Sequence, residues 1–138
     1  IAVIIIRACI VWGIKTVAVH SDVDSESMHV RLADESVCIG SHQPQNSYLN
    51  ISSLMSAVDL TGAEAIHPGY GFLSENSKFA EVVTKHGIKF IGPSSKLIGE
   101  MGDKIQAKKI AKKYGLPIIE GSEGELNLLK KRNLFAKK

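Results

Sequence analysis

The stretch Ala63–Asn76, AEAIHPGYGFLSEN, decides the fold. Its first five residues, AEAIH, read as a short buried strand. Pro68 stops that strand, because proline offers no amide to a strand ladder. Gly69 and Gly71 permit backbone shapes closed to other residues and let a ligand approach the main chain. Ser74 then reads as a helix cap, with Ser77, Phe79, Val82 and Val83 following in a helix that runs to Gly87. Strand, loop and helix in immediate succession is the unit from which parallel sheets are wound.

The same succession recurs on both sides. Upstream, Lys15–His20 (KTVAVH) and Ser36–Ile39 (SVCI) are β-branched strand candidates, and Asn50 caps a helix from Ile51 to Leu60 that Gly62 ends. Downstream, Ile88–Ile91 (IKFI) is a fourth strand stopped by Gly92 and Pro93. Two short helices follow, Ser94–Met101 and Asp103–Tyr114, separated by Gly102. This alternation predicts an α/β fold: a Rossmann-like parallel sheet with right-handed crossovers and flanking helices. In such sheets ligands bind beyond the carboxyl ends of the strands, which puts the loop after the third strand first among candidate sites. Ile1–Trp12 fits either a strand or a helix buried in an α/β layer. Gly121–Glu125 (GSEGE) reads as a polar loop that ends the domain, and Leu126–Lys138 as a short basic amphipathic helix.

Composition narrows the function classes. At 138 residues the chain suffices for one core. Its net charge of +3 is mild, and its Lys residues concentrate between Lys96 and Lys138, as on a solvated helix face. With aromatics at 6%, a nucleic-acid surface lacks support. The apolar run Ile1–Trp12 is shorter than the roughly 20 residues a membrane span requires, and it has neither the basic start nor the cleavage site of a signal peptide. Cys9 and Cys38 are far apart, form no CxxC, and read as small core residues in a reducing compartment. Neither G-x-G-x-x-G nor G-x-x-x-x-G-K-[ST] occurs, so dinucleotide and P-loop nucleotide binding lack support.

The residues able to carry chemistry cluster at His67–Asn76. A glycine-bearing loop leading into a helix N-terminus suits a carboxylate, bicarbonate or phosphate. The same residues also fit a structural turn with Tyr70 and Phe72 packed as core, and the pattern leaves both readings open. His67 has the protonation range of a general base but reads as a satisfied core histidine. Glu75 and Asn76 read as loop-fixing groups at the helix start. Lys104 places a mobile cation in a helical first turn, after Gly102 and Asp103; by residue type alone it is a surface lysine in a Lys-rich helix.

HPGYGFLSEN resembles the signature of the biotin carboxylase family, which serves acetyl-CoA, propionyl-CoA and pyruvate carboxylases. KTVAVHS (15–21), LADESVCIG (32–40), SYLNI (47–51), FIGP (90–93), MGDK (101–104) and GSEG (121–124) resemble further family segments, in family order. The resemblance implies an N-terminal α/β domain over residues 1–120, ahead of an ATP-grasp domain. Residues 121–138 would then be a linker and the start of a truncated ATP-grasp region. It implies a ligase that uses MgATP and bicarbonate to make carboxyphosphate and then carboxylates biotin on a carrier protein. Lys104 matches the family lysine that contacts ATP phosphates. Tyr70 and Gly71 match a loop near biotin and bicarbonate. The implied partners are the biotin carboxyl carrier protein, the carboxyltransferase, the remaining ATP-grasp region and a second copy as homodimer, with no nucleic acid and no membrane. LADESVCIG and GSEG lean toward acetyl-CoA carboxylase. The implied compartment is the cytoplasm, with plastid or mitochondrion as the alternative.

Several departures from the family pattern shape these expectations. The family opens with a strand and an Asn-Arg-Gly-Glu turn, both absent here, so the first strand of the sheet is expected to be missing and its neighbours to expose backbone groups. Starting on Ile rather than Met, the sequence reads as processed or incomplete. Ile4 stands where the family has a basic residue, and Ile10, Val11 and Trp12 where it has polar ones. The glycine-rich ATP lid, the magnesium-holding glutamates and the arginine and glutamate that act on bicarbonate and biotin find no match. Catalysis by these residues alone is therefore not expected. Two functional readings remain: part of an ATP-dependent biotin carboxylase, or a catalytically inactive truncated paralogue that serves as an interaction module.

Overall fold

The computed structural model describes residues 1–118. Its elements run α1 (Ala2–Val11), β1 (Val17–Ser21), α2 (Met28–Leu32), β2 (Glu35–Gly40), α3 (Ile51–Thr61), β3 (Ala65–Ile66), α4 (Ser77–Lys85), β4 (Lys89–Phe90), α5 (Ser95–Gly102) and α6 (Lys104–Lys113). The chain divides into two compact units, Ile1–Ser95 and Lys96–Lys138. The expected loop at Gly121–Glu125 and helix at Leu126–Lys138 lie outside the described residues. No described helix is long and apolar enough to cross a membrane.

The alternation of strands and helices is present, and both strand pairings are parallel: β1 with β2, and β3 with β4. They form two separate two-stranded sheets rather than one continuous sheet. The hydrogen bonds show which edge of each pair is left over. The Glu64 and Ile66 carbonyls accept from Lys89 and Ile91 N–H at 2.9 Å each, which turns the backbone groups of Ala65 to the other edge. Likewise the Thr16 carbonyl accepts from Glu35 N–H at 3.0 Å, which turns Val17 and Val19 away from β2. No described strand pairs either outer edge.

A polar clasp fixes the start of the first pair. Thr16 N–H and Thr16 Oγ1 both donate to Asp34 Oδ2, at 2.8 and 2.9 Å, and Asp34 N–H donates back to Thr16 Oγ1 at 3.2 Å. Helix α3 lies against both β1 and β2. It is capped by Asn50, whose side chain accepts from Ser53 N–H at 3.2 Å.

The main core joins Met55 of α3, Leu73 of the loop after β3, and Phe79 and Val83 of α4, with Ile51, Leu54, Ile66, Val82, Ile88 and Phe90 packed around them. Phe79 meets Phe90 edge to face at 6.0 Å between centroids. Burying an aliphatic or phenyl side chain of this size contributes about 1.5–3 kcal/mol. Of its four buried residues Leu73 is the one outside a helix, so the core holds the loop at that residue.

Two expectations need correction. Helix α1 is not buried in a layer: only Ile6 is buried, while Ile4, Ile10, Val11 and Trp12 are exposed. Apart from the exposed Arg7 its residues are apolar, so their pattern gives little inward face to distinguish. Cys38 is exposed rather than in the core, because the side chains of β2 alternate and Ile39 takes the inward position. Cys9 is half-buried.

Gly40 ends β2 at φ 144°, a region closed to other residues, and a Cβ there would lie 1.9 Å from the Asn46 carbonyl oxygen. Gly40→Ala is expected to lower unfolding stability by about 2 kcal/mol or more, read as a shift of the urea midpoint at unchanged slope. An unshifted midpoint would show that the 41–47 turn yields without cost.

Candidate functional site

The loop between β3 and α4 sits at the carboxyl end of a parallel strand, where α/β folds place ligands. Its shape follows residue by residue. Gly69 N–H donates to His67 Nδ1 at 3.0 Å, closing a tight turn around Pro68. Gly69 and Gly71 both have positive φ, 70° and 79°. Ser74 N–H then donates to the Gly71 carbonyl at 2.9 Å, and Asn76 N–H to the Leu73 carbonyl at 3.1 Å. Helix α4 begins beyond that, with Asn76 as its cap: the Asn76 side chain accepts from Phe79 N–H at 2.9 Å. Ser74 is therefore part of the turn and not the helix cap, since two successive turns delay the helix by two residues.

His67 is exposed rather than a core histidine, and its ring serves the loop as the acceptor for Gly69. Tyr70 is 84% exposed and Phe72 60% exposed, so neither is packed as core. Tyr70 and Gly71 thus stand together on an open face of the loop. Lys104 is the first residue of α6 and belongs to the other compact unit. The helix start there is firm, because the Asp103 side chain accepts from Ile105 and Gln106 N–H at 2.7 and 3.0 Å.

Phe72 is the one non-glycine residue with positive φ, 46°, among those described. Such a conformation costs about 1 kcal/mol or more in a bulky residue and persists only where its surroundings fix it. Its ring stacks on Tyr48 at 5.2 Å between centroids and 19° between planes. Tyr48 is held in turn. Its hydroxyl donates to Asp24 Oδ2 at 2.5 Å and accepts from Ser21 N–H at 3.0 Å. Asp24 Oδ2 also accepts from Ser21 Oγ at 2.7 Å. The hydrogen bond from Tyr48, and after it that from Ser21, hold the Asp24 carboxyl below its ordinary range. Burial, and then the hydrogen bond donated to Asp24, push the Tyr48 hydroxyl up. The sequence reading missed this trio. Ser21 and Tyr48 stand inside the quoted segments VHS and SYLNI, but their meeting depends on a fold that joins positions 27 residues apart.

Residues 1–98 match the family described as "Biotin carboxylase, N-terminal domain". The chain belongs to this family. It is 54% identical over 127 residues to the biotin carboxylase of Haemophilus influenzae, covering 92% of this chain and 28% of that one. With the mitochondrial propionyl-CoA carboxylase alpha chain of Caenorhabditis elegans it shares 56% over 126 residues, covering 91% and 17%. Among solved structures, a biotin carboxylase–β,γ-ATP complex from Campylobacter jejuni superposes with a TM-score of 0.93 at 41% identity. The biotin carboxylase domain of the Hydrogenobacter thermophilus 2-oxoglutarate carboxylase, in complex with MgADP and bicarbonate, gives 0.92 at 44%. Both cover 99% of this chain and 30% of the other. The chain thus spans less than a third of the length of the curated relatives it matches.

A carboxyl whose folded pKa lies below its ordinary 3.8 stabilises the fold above pH 3.8 and loses that contribution as the pH falls below it. The urea midpoint of the wild type is therefore expected to fall more steeply than that of Asp24→Asn as acid is added from about pH 5 to pH 3. Parallel pH profiles would show that Asp24 is not stabilised in the folded chain.

Proposed function

We propose that this chain supplies one wall of a biotin carboxylase cleft, in which MgATP and bicarbonate give carboxyphosphate and the carboxyl group passes to biotin on a carrier protein. The observation that carries the reading is the open Tyr70–Gly71 face at the carboxyl end of β3, in a chain of this family. The neighbour bound to MgADP and bicarbonate supports it as well.

In this proposal the Tyr70 ring and the Gly71 main chain meet biotin or bicarbonate, where the missing Cβ of Gly71 leaves room for close approach. Lys104 meets the ATP phosphates from the first turn of α6, as a point charge on the nucleotide. In this reading the groups that would hold magnesium come from the ATP-grasp region rather than from the described residues. Residues 1–120 form the N-terminal domain in this reading, and 121–138 lead into the ATP-grasp region. The partners are the remaining ATP-grasp region, the biotin carboxyl carrier protein, a carboxyltransferase that serves an acyl-CoA, and a second copy. Acetyl-CoA is the acyl-CoA toward which LADESVCIG and GSEG lean, and the cytoplasm or an organelle is the compartment.

The exposed apolar residues of α1, Ile4, Val11 and Trp12, favour the second reading, an interaction module. One experiment separates the two. The chain replaces the matching segment of the Haemophilus influenzae enzyme, and bicarbonate-dependent ADP release with free biotin is measured. The chimera is expected to be active. Lys104→Ala should lower kcat/KM for ATP about a hundredfold, and Tyr70→Ala should raise KM for biotin about tenfold. An inactive but folded chimera would favour the interaction module. An active one indifferent to both substitutions would remove these residues from the cleft.

A further inference from the structure

We infer that Tyr48 is a positioning residue for the ligand-facing loop: held by Asp24 and Ser21 at the end of β1, its ring fixes Phe72 and thereby the Tyr70–Gly71 face. That the face meets ligand rests on the proposal above; that Tyr48 shapes the loop does not.

Between Pro68 and Leu73 the residues Gly69, Gly71 and Phe72 all sit at positive φ. Glycine takes such a conformation freely, so Gly69 and Gly71 define many loops equally well. Phe72 does not take it freely, so the side that holds Phe72 selects one loop from the many. Two contacts are available to do this. Leu73, the next residue, is 6% exposed and anchored in the core. That fixes where the chain enters the turn before α4 but leaves the rotation of the preceding peptide open. The Tyr48 ring, stacked on Phe72, closes that freedom.

A stacked ring positions its partner only if it is itself fixed. The Tyr48 hydroxyl makes one bond as donor and one as acceptor, to Asp24 and to the Ser21 amide. Ser21 is 1% exposed and is the last residue of β1, a strand hydrogen-bonded along β2. The chain of contacts therefore runs from a paired strand through a fixed ring to a strained residue. It ends one peptide from Gly71 and two residues from Tyr70. It also joins β1 to the loop after β3, although these strands belong to separate sheets.

The test uses the 138-residue chain without ligand, labelled with nitrogen-15, and follows amide hydrogen exchange by NMR. The Ser74 amide, bonded to the Gly71 carbonyl, reports the loop, and the Val83 amide in α4 reports the fold. In Tyr48→Leu, exchange at Ser74 should rise about tenfold while Val83 stays within about twofold. Tyr48→Phe keeps the ring and loses the hydroxyl, and should give a smaller rise of about threefold. With Phe72→Gly already in place the strained residue is gone, so adding Tyr48→Leu should change Ser74 no further. Equal acceleration at Ser74 and Val83 would overturn the inference, as would an unchanged Ser74 or an undiminished effect of Tyr48→Leu beside Phe72→Gly. If Tyr48→Leu fails to fold, Tyr48→Phe carries the same comparison. Adding biotin or bicarbonate to the wild type and following the Gly71 amide tests the ligand reading separately, so the two can fail independently.

Discussion

The stacking of Phe72 on Tyr48 is the contact through which the end of β1 sets the loop after β3. Without it the loop has one core anchor, Leu73, and two freely turning glycines. With it, a bulky residue is held in left-handed backbone, and energy drawn from burial and hydrogen bonding elsewhere keeps it there. The supporting groups are polar and few, and they satisfy one another. Asp24 accepts from Tyr48 and Ser21, while the Ser21 amide donates to Tyr48. Such a closed set is stiff because each member has a bonded partner in place.

This arrangement gives the two strand pairs separate tasks. The pair β3–β4, with α3 and α4, encloses the apolar core and carries the loop. The pair β1–β2 contributes through Ser21, at its carboxyl end, which shapes a loop that starts from the other sheet. Both loop and support lie where parallel strands end, as in α/β folds whose sites are built from several strand termini. Tyr70 can be exposed and its position still defined, because the defining contacts are made by its neighbours.

Much of this was legible in the sequence where the signal is local. Asn50 capping α3, the stop at Pro68, and Asp103 opening α6 depend on residues within one turn of each other. The strand and helix alternation is also local, and it fixed the parallel pairing. Reading failed where the outcome depends on distant partners or on the absence of contrast. Ser74 and Asn76 are both good caps, and only the two turns formed by Gly71 and Leu73 decide between them. Helix α1 is apolar except at Arg7, so little in its pattern marks Ile6 as its inward residue. His67 reads as a satisfied core histidine, whereas it faces out and accepts from Gly69 N–H, a contact that depends on the turn around Pro68. At the site, Gly69 and Gly71 mark a loop that a ligand can approach, but the pattern does not decide whether Tyr70 packs as core or faces out, as it does at 84% exposure. Tyr48 and Asp24 were not legible, because nothing near them in the chain shows what they touch.

The central claim is that the Tyr70–Gly71 face forms a wall of a carboxylation cleft. A crystal structure of the chimera with the Haemophilus influenzae enzyme, bound to ADP, bicarbonate and biotin, tests it most directly. Bicarbonate or biotin is expected within roughly 4 Å of Tyr70 or Gly71, with Phe72 still stacked on Tyr48. Ligands seated elsewhere, with this face open to solvent in the complete cleft, would contradict it.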